Sequence, residues 1–384
     1  MGMGKTGRNL KLALLILGVA HLIGACIYKY SSLTGISGLL YADGTPVGGD
    51  FINLWAAARM VLSGHANEIY AVSGFKAYQA TFVGGADLGL RLWAYPPHSL
   101  LLIWPFGLIG YYPALAVWSV FGLILLFVGA RRFGFDRLET AVLLTSPATV
   151  VNLYYGQSGS AVAGLVLLAL SARTKRDAVP SAAATILTIK PQGGFLLPLL
   201  WAVERRWRMI LWTALGTVLF AGFSVLMFGT GPWRDYLGDT LPVLSDLERN
   251  GSGPFMAMIP SIFMGLRIVT GNSVLALAIH AAFACGVGLV FAWRIWRVHD
   301  PERRAALLLL ATVLITPYIH NYDLALLLSG ALIVARRPWV IASGPLRAEL
   351  PIILAWMLPQ LVLVLNIAGL PISSLLVLPL LFLA

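Results

Sequence analysis

Long apolar runs alternate with short polar or Gly/Pro-rich breaks from residue 10 to the last residue of the chain. A helix that crosses a membrane needs about 20 predominantly apolar residues, and several runs reach that length. No polar stretch is long enough to fold as a separate soluble domain. The pattern therefore predicts an all-α integral membrane protein with one polytopic domain over residues 1–384. Residues 29–111 are predicted as an outer loop with juxtamembrane helices, and residues 112–384 as the remaining transmembrane helices.

Basic residues are concentrated in six short segments between the apolar runs. These are the N-terminus with Lys5, Arg8 and Lys11, RRFGFDR (131–137), RTKR (173–176), ERRWR (204–208), WRIWRVHDPERR (293–304) and ARRP (335–338). Because cytoplasmic loops carry an excess of Lys and Arg, we expect all six on the cytoplasmic side.

This constraint determines the number of crossings. Pro96, Pro97 and Pro105 break the run 96–110, which is predicted to lie in the outer interface rather than to cross. Twelve crossings with both termini inside then satisfy the charge rule. They are 10–28, 112–130, 137–154, 158–172, 178–190, 193–204, 208–228, 272–293, 303–318, 320–336, 349–367 and 370–384. Several are shorter than an ordinary span, which leaves half-spans packed against neighbouring helices as an alternative.

The composition agrees with a membrane protein and weakens other assignments. The chain is 59% hydrophobic and 11% charged, with a mean hydropathy of +0.83. Its net charge of +11 is better explained by topology than by a nucleic-acid partner, because the basic residues do not form one soluble face. The two cysteines lie inside apolar runs, so a disulfide framework is not expected.

Asp50 is the first unusual polar residue on the predicted outer side. It stands in GGDFINLW, before two amphipathic segments, 51–62 and 67–80, that suit helices lying on the membrane interface. An N-terminal helix cap is one interpretation of Asp50, since a carboxylate there accepts hydrogen bonds from free backbone N–H groups. A carboxylate held at the membrane surface beside an aromatic pocket is the other.

Further polar residues fall at the same predicted leaflet. Lys190, in TIKPQGG, either extends its amine to the interface or faces a cavity and binds an anion such as phosphate. The segment TPYIHNYD (316–323) is either a polar turn, with Asp323 capping the next helix, or part of the same site. A base, a cation and neutral donors on one side of the membrane suit transfer chemistry. The candidate site residues are Asp50, Tyr95, His98, Gln157, Lys190, Gln192, His320, Asn321 and Tyr322.

Motifs for other chemistries are missing from the sequence. It contains no phosphate loop, no G-x-G-x-x-G after a strand, no C-x-x-C, no H-E-x-x-H and no D-x-D. We therefore expect neither a metal site nor a cofactor.

Together these motifs resemble glycosyltransferase family 87, membrane enzymes of the GT-C class that use polyprenyl-phosphate sugars. The resemblance rests on GGDFINLWAAARMVLSG, YPP, GQ (156–157), KPQ (190–192) and the late Pro and His/Tyr turn. It extends to the polyprenol-phosphate-mannose-dependent α-mannosyltransferases of mycobacteria. It implies a GT-C helical bundle in which the acid of the first outer loop, here Asp50, is the catalytic base. Lys190 and His320 are then implied to contact the lipid phosphate.

The resemblance implies an inverting enzyme that transfers a hexose, with mannose expected, to a lipid-linked or glycan acceptor. Its partners would be the polyprenyl-phosphate sugar, the acceptor and membrane lipids. It would lie in the plasma (inner) membrane with its active site on the periplasmic or extracellular face. A secondary transporter or a flippase is the alternative, because transporters also place polar residues on broken helices.

Overall fold

Short breaks divide the chain into many helices of unequal length. The computed structural model describes residues 5–33, 38–171, 177–337, 340 and 345–384, so the RTKR cluster (173–176) lies outside the described residues. The α-helices are α1 Lys5–Ser32, α2 Phe51–Leu62, α3 Val72–Phe82, α4 Leu100–Ile103, α5 Tyr111–Phe133, α6 Arg137–Leu144, α7 Pro147–Tyr154, α8 Gly159–Leu170, α9 Val179–Leu187, α10 Leu197–Val203, α11 Trp207–Phe228, α12 Gly231–Asp235, α13 Leu241–Asn250, α14 Pro254–Ala257, α15 Ile262–Thr270, α16 Ser273–Arg297, α17 Pro301–Ile315, α18 Ala325–Ala335, α19 Pro345–Ile367 and α20 Ser373–Leu383. Short 3₁₀ helices cover Ala66–Ile69, Pro97–Ser99, Trp104–Leu108, Pro191–Gly193 and Asn321–Asp323, and a π-helical turn covers Tyr236–Thr240. Apart from one isolated bridge between Leu40 and Pro46, the described residues contain no β-structure.

Within the part of the chain that the structure describes, five helices are long and apolar enough to cross a membrane. These segments are Gly7–Ser32, Tyr111–Phe133, Trp207–Phe228, Ser273–Arg297 and Glu349–Ile367. They leave large apolar side chains exposed, as Val218 and Leu226 of α11 do at 67% and 82%. Such surfaces suit contact with lipid. The structure thus confirms an all-helical chain with several candidate membrane spans.

The other seven predicted crossings correspond to shorter helices. The segment 137–154 is divided into α6 and α7, where Ser146 caps α7 and Pro147 starts it. Helix α8 has 12 residues and α18 has 11. At 1.5 Å per residue each is about 17 Å long, less than the ~30 Å of a bilayer core. The count of twelve crossings therefore remains a prediction.

The centre of the bundle is formed by α8, α17 and α18. All eleven residues of α18 are buried, as are residues 305–314 of α17. Gly129 of α5 and Gly164 of α8 let these two helices approach closely. A Cβ atom at Gly164 would lie 2.3 Å from the carbonyl oxygen of Leu125. Small residues of this kind bring helix backbones together where the surroundings are apolar.

Helix α2 forms where the sequence predicts an amphipathic helix, but it is buried on more than one side. Phe51, Leu54 and Ala58 are buried, and so are Ile52 and Met60. The helix packs against α4, α5 and the 3₁₀ helix Trp104–Leu108. It is therefore a central element of a separate apolar cluster. The packing of this helix fixes the position of Asp50, which directly precedes it.

Ion pairs join the described basic segments at one end of the bundle, which we call the basic end. Lys11 of α1 contacts Glu139 of α6 at 2.5 Å, and Arg336, just after α18, contacts the same carboxylate. The other pairs are Arg132–Asp177, Arg206–Glu204, Arg304–Glu204, Arg337–Asp300 and Arg337–Glu302. The backbone oxygens of Leu381 and Ala384 accept from Arg294 and Arg303, so the C-terminus lies there too.

The helices that start at the basic end lead to the candidate site residues. Helix α17 starts beside Asp300 and ends at Ile315, five residues before His320. Helix α9 starts just after Asp177 and ends at Leu187, three residues before Lys190. With a length of about 22 Å for the 15 residues of α17, the candidate site and the basic end lie at opposite ends of the bundle. We call the end of the bundle that holds the candidate site residues the site end.

We expect Gly164→Ala to destabilise the bundle, because the new methyl group would meet the Leu125 carbonyl and force α5 and α8 apart. Overpacking of this kind costs roughly 1–3 kcal/mol. Thermal unfolding in detergent should show a lower Tm for this variant. Gly222→Ala is the matched control, since a Cβ atom there meets nothing within 4 Å. Equal Tm values for the two variants would contradict the close packing.

Candidate functional site

Glycines place Asp50 against the loop after α7. Gly48 and Gly49 have φ values of +81° and +57°, and a Cβ atom at Gly49 would lie 3.0 Å from Cα of Tyr155. The backbone N–H of Asp50 donates to the carbonyl oxygen of Tyr155 at 3.0 Å. The two loops are therefore in direct contact, and Gly49 is required both by its left-handed backbone and by the lack of space.

The Asp50 carboxylate is held by side chains and does not cap its helix. Its Oδ1 accepts from Nη1 of Arg91 at 2.6 Å, and its Oδ2 accepts from Nε2 of Gln157 at 2.6 Å. No capping bond runs from the side chain to α2. The side chain remains 41% exposed. The capping interpretation thus does not apply in this structure, whereas the carboxylate is ionically paired, oriented and accessible.

Lys190 is buried and already has an anionic partner. Its Nζ lies 2.7 Å from Oδ1 of Asp323, with both side chains less than 10% exposed. The ammonium also lies 5.4 Å from the centre of the Tyr322 ring. Lys190 therefore does not extend outward to the interface. Asp323 does not cap α18 either; it balances the charge of the lysine.

His320 stacks on Tyr322, with ring centres 4.9 Å apart and planes 7° apart. Its Nδ1 lies 3.1 Å from the carbonyl oxygen of Tyr318, and because a carbonyl only accepts, Nδ1 carries a proton. Burial lowers the pKa of His320 below its ordinary value of 6.5, with the charges of Asp323, Lys190 and Asp50 acting on it as well. The neutral ring then presents an unprotonated Nε2, which can donate to a ligand only after protonation.

Electrostatic interactions connect these groups into one cluster. The charge of Asp50 acts on the pKa of both His320 and Tyr322, and Tyr95 acts on that of Lys190. The Tyr95 hydroxyl lies 2.8 Å from Oγ of Ser158, next to Gln157. The structure therefore brings together Asp50, Tyr95, Gln157, Lys190, His320 and Tyr322 at the site end.

Three predicted site residues have other surroundings. His98 is buried between Phe220 and Trp233 and contacts Thr188 at 3.2 Å, and burial lowers its pKa to about 4. Asn321 is buried and donates to the backbone oxygen of Pro359. Gln192 is exposed, and among the described residues no hydrogen bond of its side chain is found. Their substrate contacts remain predictions.

Sequence reasoning missed two charged residues of the site. Arg91 lies in an irregular stretch between α3 and the 3₁₀ helix Pro97–Ser99, where no periodicity indicates its direction. Glu248 of α13 is half-buried and close enough to Tyr318 and Tyr322 to act on the pKa of both. Burial raises the pKa of Glu248 to about 7. Helix α13 has no fully buried residue, and nothing in its sequence indicated that Glu248 belongs to the site.

Lys190→Met should lower the Tm strongly, because it leaves Asp323 buried without a counter-charge, at a cost of about 3–5 kcal/mol. Adding Asp323→Asn should restore most of the loss. The exposed pair Lys76–Asp87 provides the control, since Lys76→Met should change the Tm little. A Lys190→Met protein as stable as wild type would contradict the buried pair.

The raised pKa of Glu248 predicts a pH-dependent cost to folding. Between its ordinary pKa of 4.5 and about 7, the unfolded chain loses this proton while the folded chain keeps it, so this group lowers stability as the pH rises. We expect Glu248→Gln to raise the Tm more at pH 8 than at pH 5, as measured by thermal unfolding. Asp246→Asn, an exposed change on the same helix, is the control; the same pH response in both variants would refute the burial of Glu248.

Comparison with known proteins identifies the family of the chain. The family model of glycosyltransferase family 87 matches residues 93–317, more than half of the chain. The matched range contains Gln157 and Lys190, ends just before His320 and starts after Asp50. No curated protein and no solved structure matches the chain. The family predicted from the motifs is thus confirmed, and the chain belongs to glycosyltransferase family 87.

Proposed function

We propose that this glycosyltransferase moves a hexose, with mannose the first candidate, from a polyprenyl-phosphate donor to a hydroxyl group of a lipid-linked or glycan acceptor. The observation that carries the proposal is the Asp50 carboxylate, which is accessible and yet oriented by Arg91 and Gln157. A general base needs both properties, because it must reach the proton that it removes and must be held in position.

The proposed reaction is one in-line displacement at the anomeric carbon. Asp50 accepts the proton of the acceptor hydroxyl as its oxygen forms the new glycosidic bond. The bond between the anomeric carbon and the phosphate oxygen breaks, and polyprenyl phosphate leaves with the electron pair. A single displacement inverts the anomeric centre.

Two cationic side chains of the site support the binding of the lipid phosphate. Lys190 is fixed by Asp323 and Tyr322, and Arg91 is a second cation in contact with Asp50. A phosphate next to His320 would raise the pKa of the ring, so that Nε2 gains a proton and donates to the leaving oxygen. The carboxylates of Asp50 and Asp323 are each paired with a cation. We therefore assign the phosphate to side chains, with no resident metal or cofactor.

The position of the site supports a location at the outer surface of the plasma (inner) membrane. We assign the basic end to the cytoplasm by the positive-inside rule, which puts Asp50 at the periplasmic or extracellular face. There the sugar phosphate would lie at the interface and the polyprenyl chain among the helices and membrane lipids. For the fold, we propose a GT-C bundle with twelve membrane crossings.

We expect Asp50→Asn to reduce transfer by about 10²-fold or more, as for the loss of a positioned base. The fold should survive, because the Asn oxygen can accept from Arg91 while a flipped Gln157 amide accepts from the Asn. The measurement is the transfer rate with a polyprenyl-phosphate mannose, together with the Tm. Asp239→Asn is the control, since Asp239 is exposed on the π-helical turn and belongs to neither the site nor the tyrosine surface. Turnover near the wild-type rate in Asp50→Asn would disprove the role of Asp50.

A further inference from the structure

A surface rich in tyrosine adjoins Asp50, and the proposed chemistry does not use it. We call it the tyrosine surface and define it as Tyr28, Lys29, Tyr41, Tyr154 and Tyr155. It combines the outer end of α1, the end of α7 and the loop before α2. Tyr28 is 62% exposed, while the other four side chains are half-buried.

Direct contacts run across this surface from Lys29 to Asp50. Nζ of Lys29 donates to the carbonyl oxygen of Tyr154 at 2.8 Å and lies 4.5 Å from the centre of its ring. The Tyr154 and Tyr155 rings are 5.0 Å apart in an edge-to-face arrangement. The Tyr155 carbonyl in turn accepts from the backbone of Asp50. A ligand bound to the rings would therefore lie next to the carboxylate.

Asp50 interacts both with this surface, through Tyr155, and with the groups assigned to the phosphate, through its charge on His320. Burial raises the pKa of Tyr155, and the charges of Asp50 and Tyr28 raise it further. Lys190 and His320 instead interact with each other and with Asp323, Tyr95, Tyr318 and Tyr322, and the charge of Asp50 acts on His320. Among the described residues, none of these interactions joins Lys190 or His320 to the tyrosine surface. A displacement needs the leaving group and the attacking hydroxyl on different sides of the anomeric carbon, and two separate clusters next to Asp50 are compatible with that need.

The surface has unused capacity to bind a polar ligand. The Tyr41 hydroxyl is buried and has no hydrogen-bond partner in the described part of the chain. Lys29 has no carboxylate partner among the described ion pairs. Tyrosine offers an apolar ring face with a hydroxyl at its edge, and the C–H faces and hydroxyl groups of a sugar ring match both parts.

We propose that the tyrosine surface binds the sugar head group of a lipid-linked acceptor and directs its hydroxyl to Asp50. This inference rests on the proposed function, because it assigns the acceptor side of that reaction. The rings also fit an aromatic belt that anchors the protein at the membrane interface. A belt would involve every exposed tyrosine at this helix end alike, whereas an acceptor site involves only those next to Asp50.

The neighbouring Tyr30 allows a matched test. It lies on the same end of α1, is 76% exposed and is not part of the surface. Tyr28→Ala removes one exposed ring, Tyr41→Phe removes only the unpartnered hydroxyl, and Tyr30→Ala is the control. The assay uses polyprenyl-phosphate mannose as donor and octyl glucoside, octyl galactoside and octyl mannoside as soluble acceptors. It measures KM for each substrate, and donor hydrolysis without acceptor.

We expect Tyr28→Ala and Tyr41→Phe to raise the acceptor KM about five- to tenfold, the size of one aromatic or hydrogen-bond contact, with the donor KM unchanged. Tyr30→Ala should leave both values as in wild type. Equal effects of Tyr28→Ala and Tyr30→Ala, or a parallel rise in donor KM, would overturn the acceptor site. Wild-type protein that hydrolyses the donor but uses no octyl glycoside would also overturn it while leaving the donor half of the proposed function intact. Failure of both hydrolysis and transfer would instead refute the proposed function.

Discussion

A charge buried in an apolar helical bundle needs a partner, because desolvation costs several kcal/mol per ion. This constraint organises both ends of the molecule. At the basic end, Glu139 is shared by Lys11 and Arg336 and so joins α1, α6 and α18. At the site end, the pair Lys190–Asp323 joins the break after α9 to the turn before α18. Between these pairs, α8, α18 and residues 305–315 of α17 carry no charged side chain, so the charges of the site lie near helix ends.

Asp50 and Asp323 differ in exposure, and this difference separates their proposed roles. Asp323 is nearly enclosed by its lysine, whereas Asp50 remains 41% exposed although Arg91 and Gln157 hold both of its oxygens. A structural counter-ion can be sealed off, but a base has to meet its substrate. The close contact of the loops at Gly49 and Tyr155 keeps Asp50 next to the tyrosine surface, and the proposed phosphate-binding residues are Lys190 and His320.

Much of this arrangement could be predicted from local patterns. The positive-inside rule grouped Lys11, Arg132 and Arg336 at one end and put Asp50, Lys190 and His320 at the other, because each basic segment marks a helix terminus. Pairing partners could not be predicted, since Arg91 is 41 residues and Gln157 is 107 residues from Asp50. The burial of α2 on more than one side was not predicted, because its apolar pattern indicates a single buried face. Its alanines are small enough to pack against neighbouring elements on either side of the helix. Breaks such as Ser146–Pro147 shorten helices that hydropathy alone joins into spans.

The central claim is that donor phosphate and base meet at the site end, on either side of the anomeric carbon. An experimental structure of Asp50→Asn with a bound polyprenyl-phosphate sugar tests this most directly, since the slowed transfer should keep the donor intact. The account predicts the phosphate within hydrogen-bond distance of Lys190 Nζ, and the anomeric carbon facing residue 50. A sugar phosphate bound at the basic end, or one at the site end with its anomeric carbon turned away from residue 50, would contradict it.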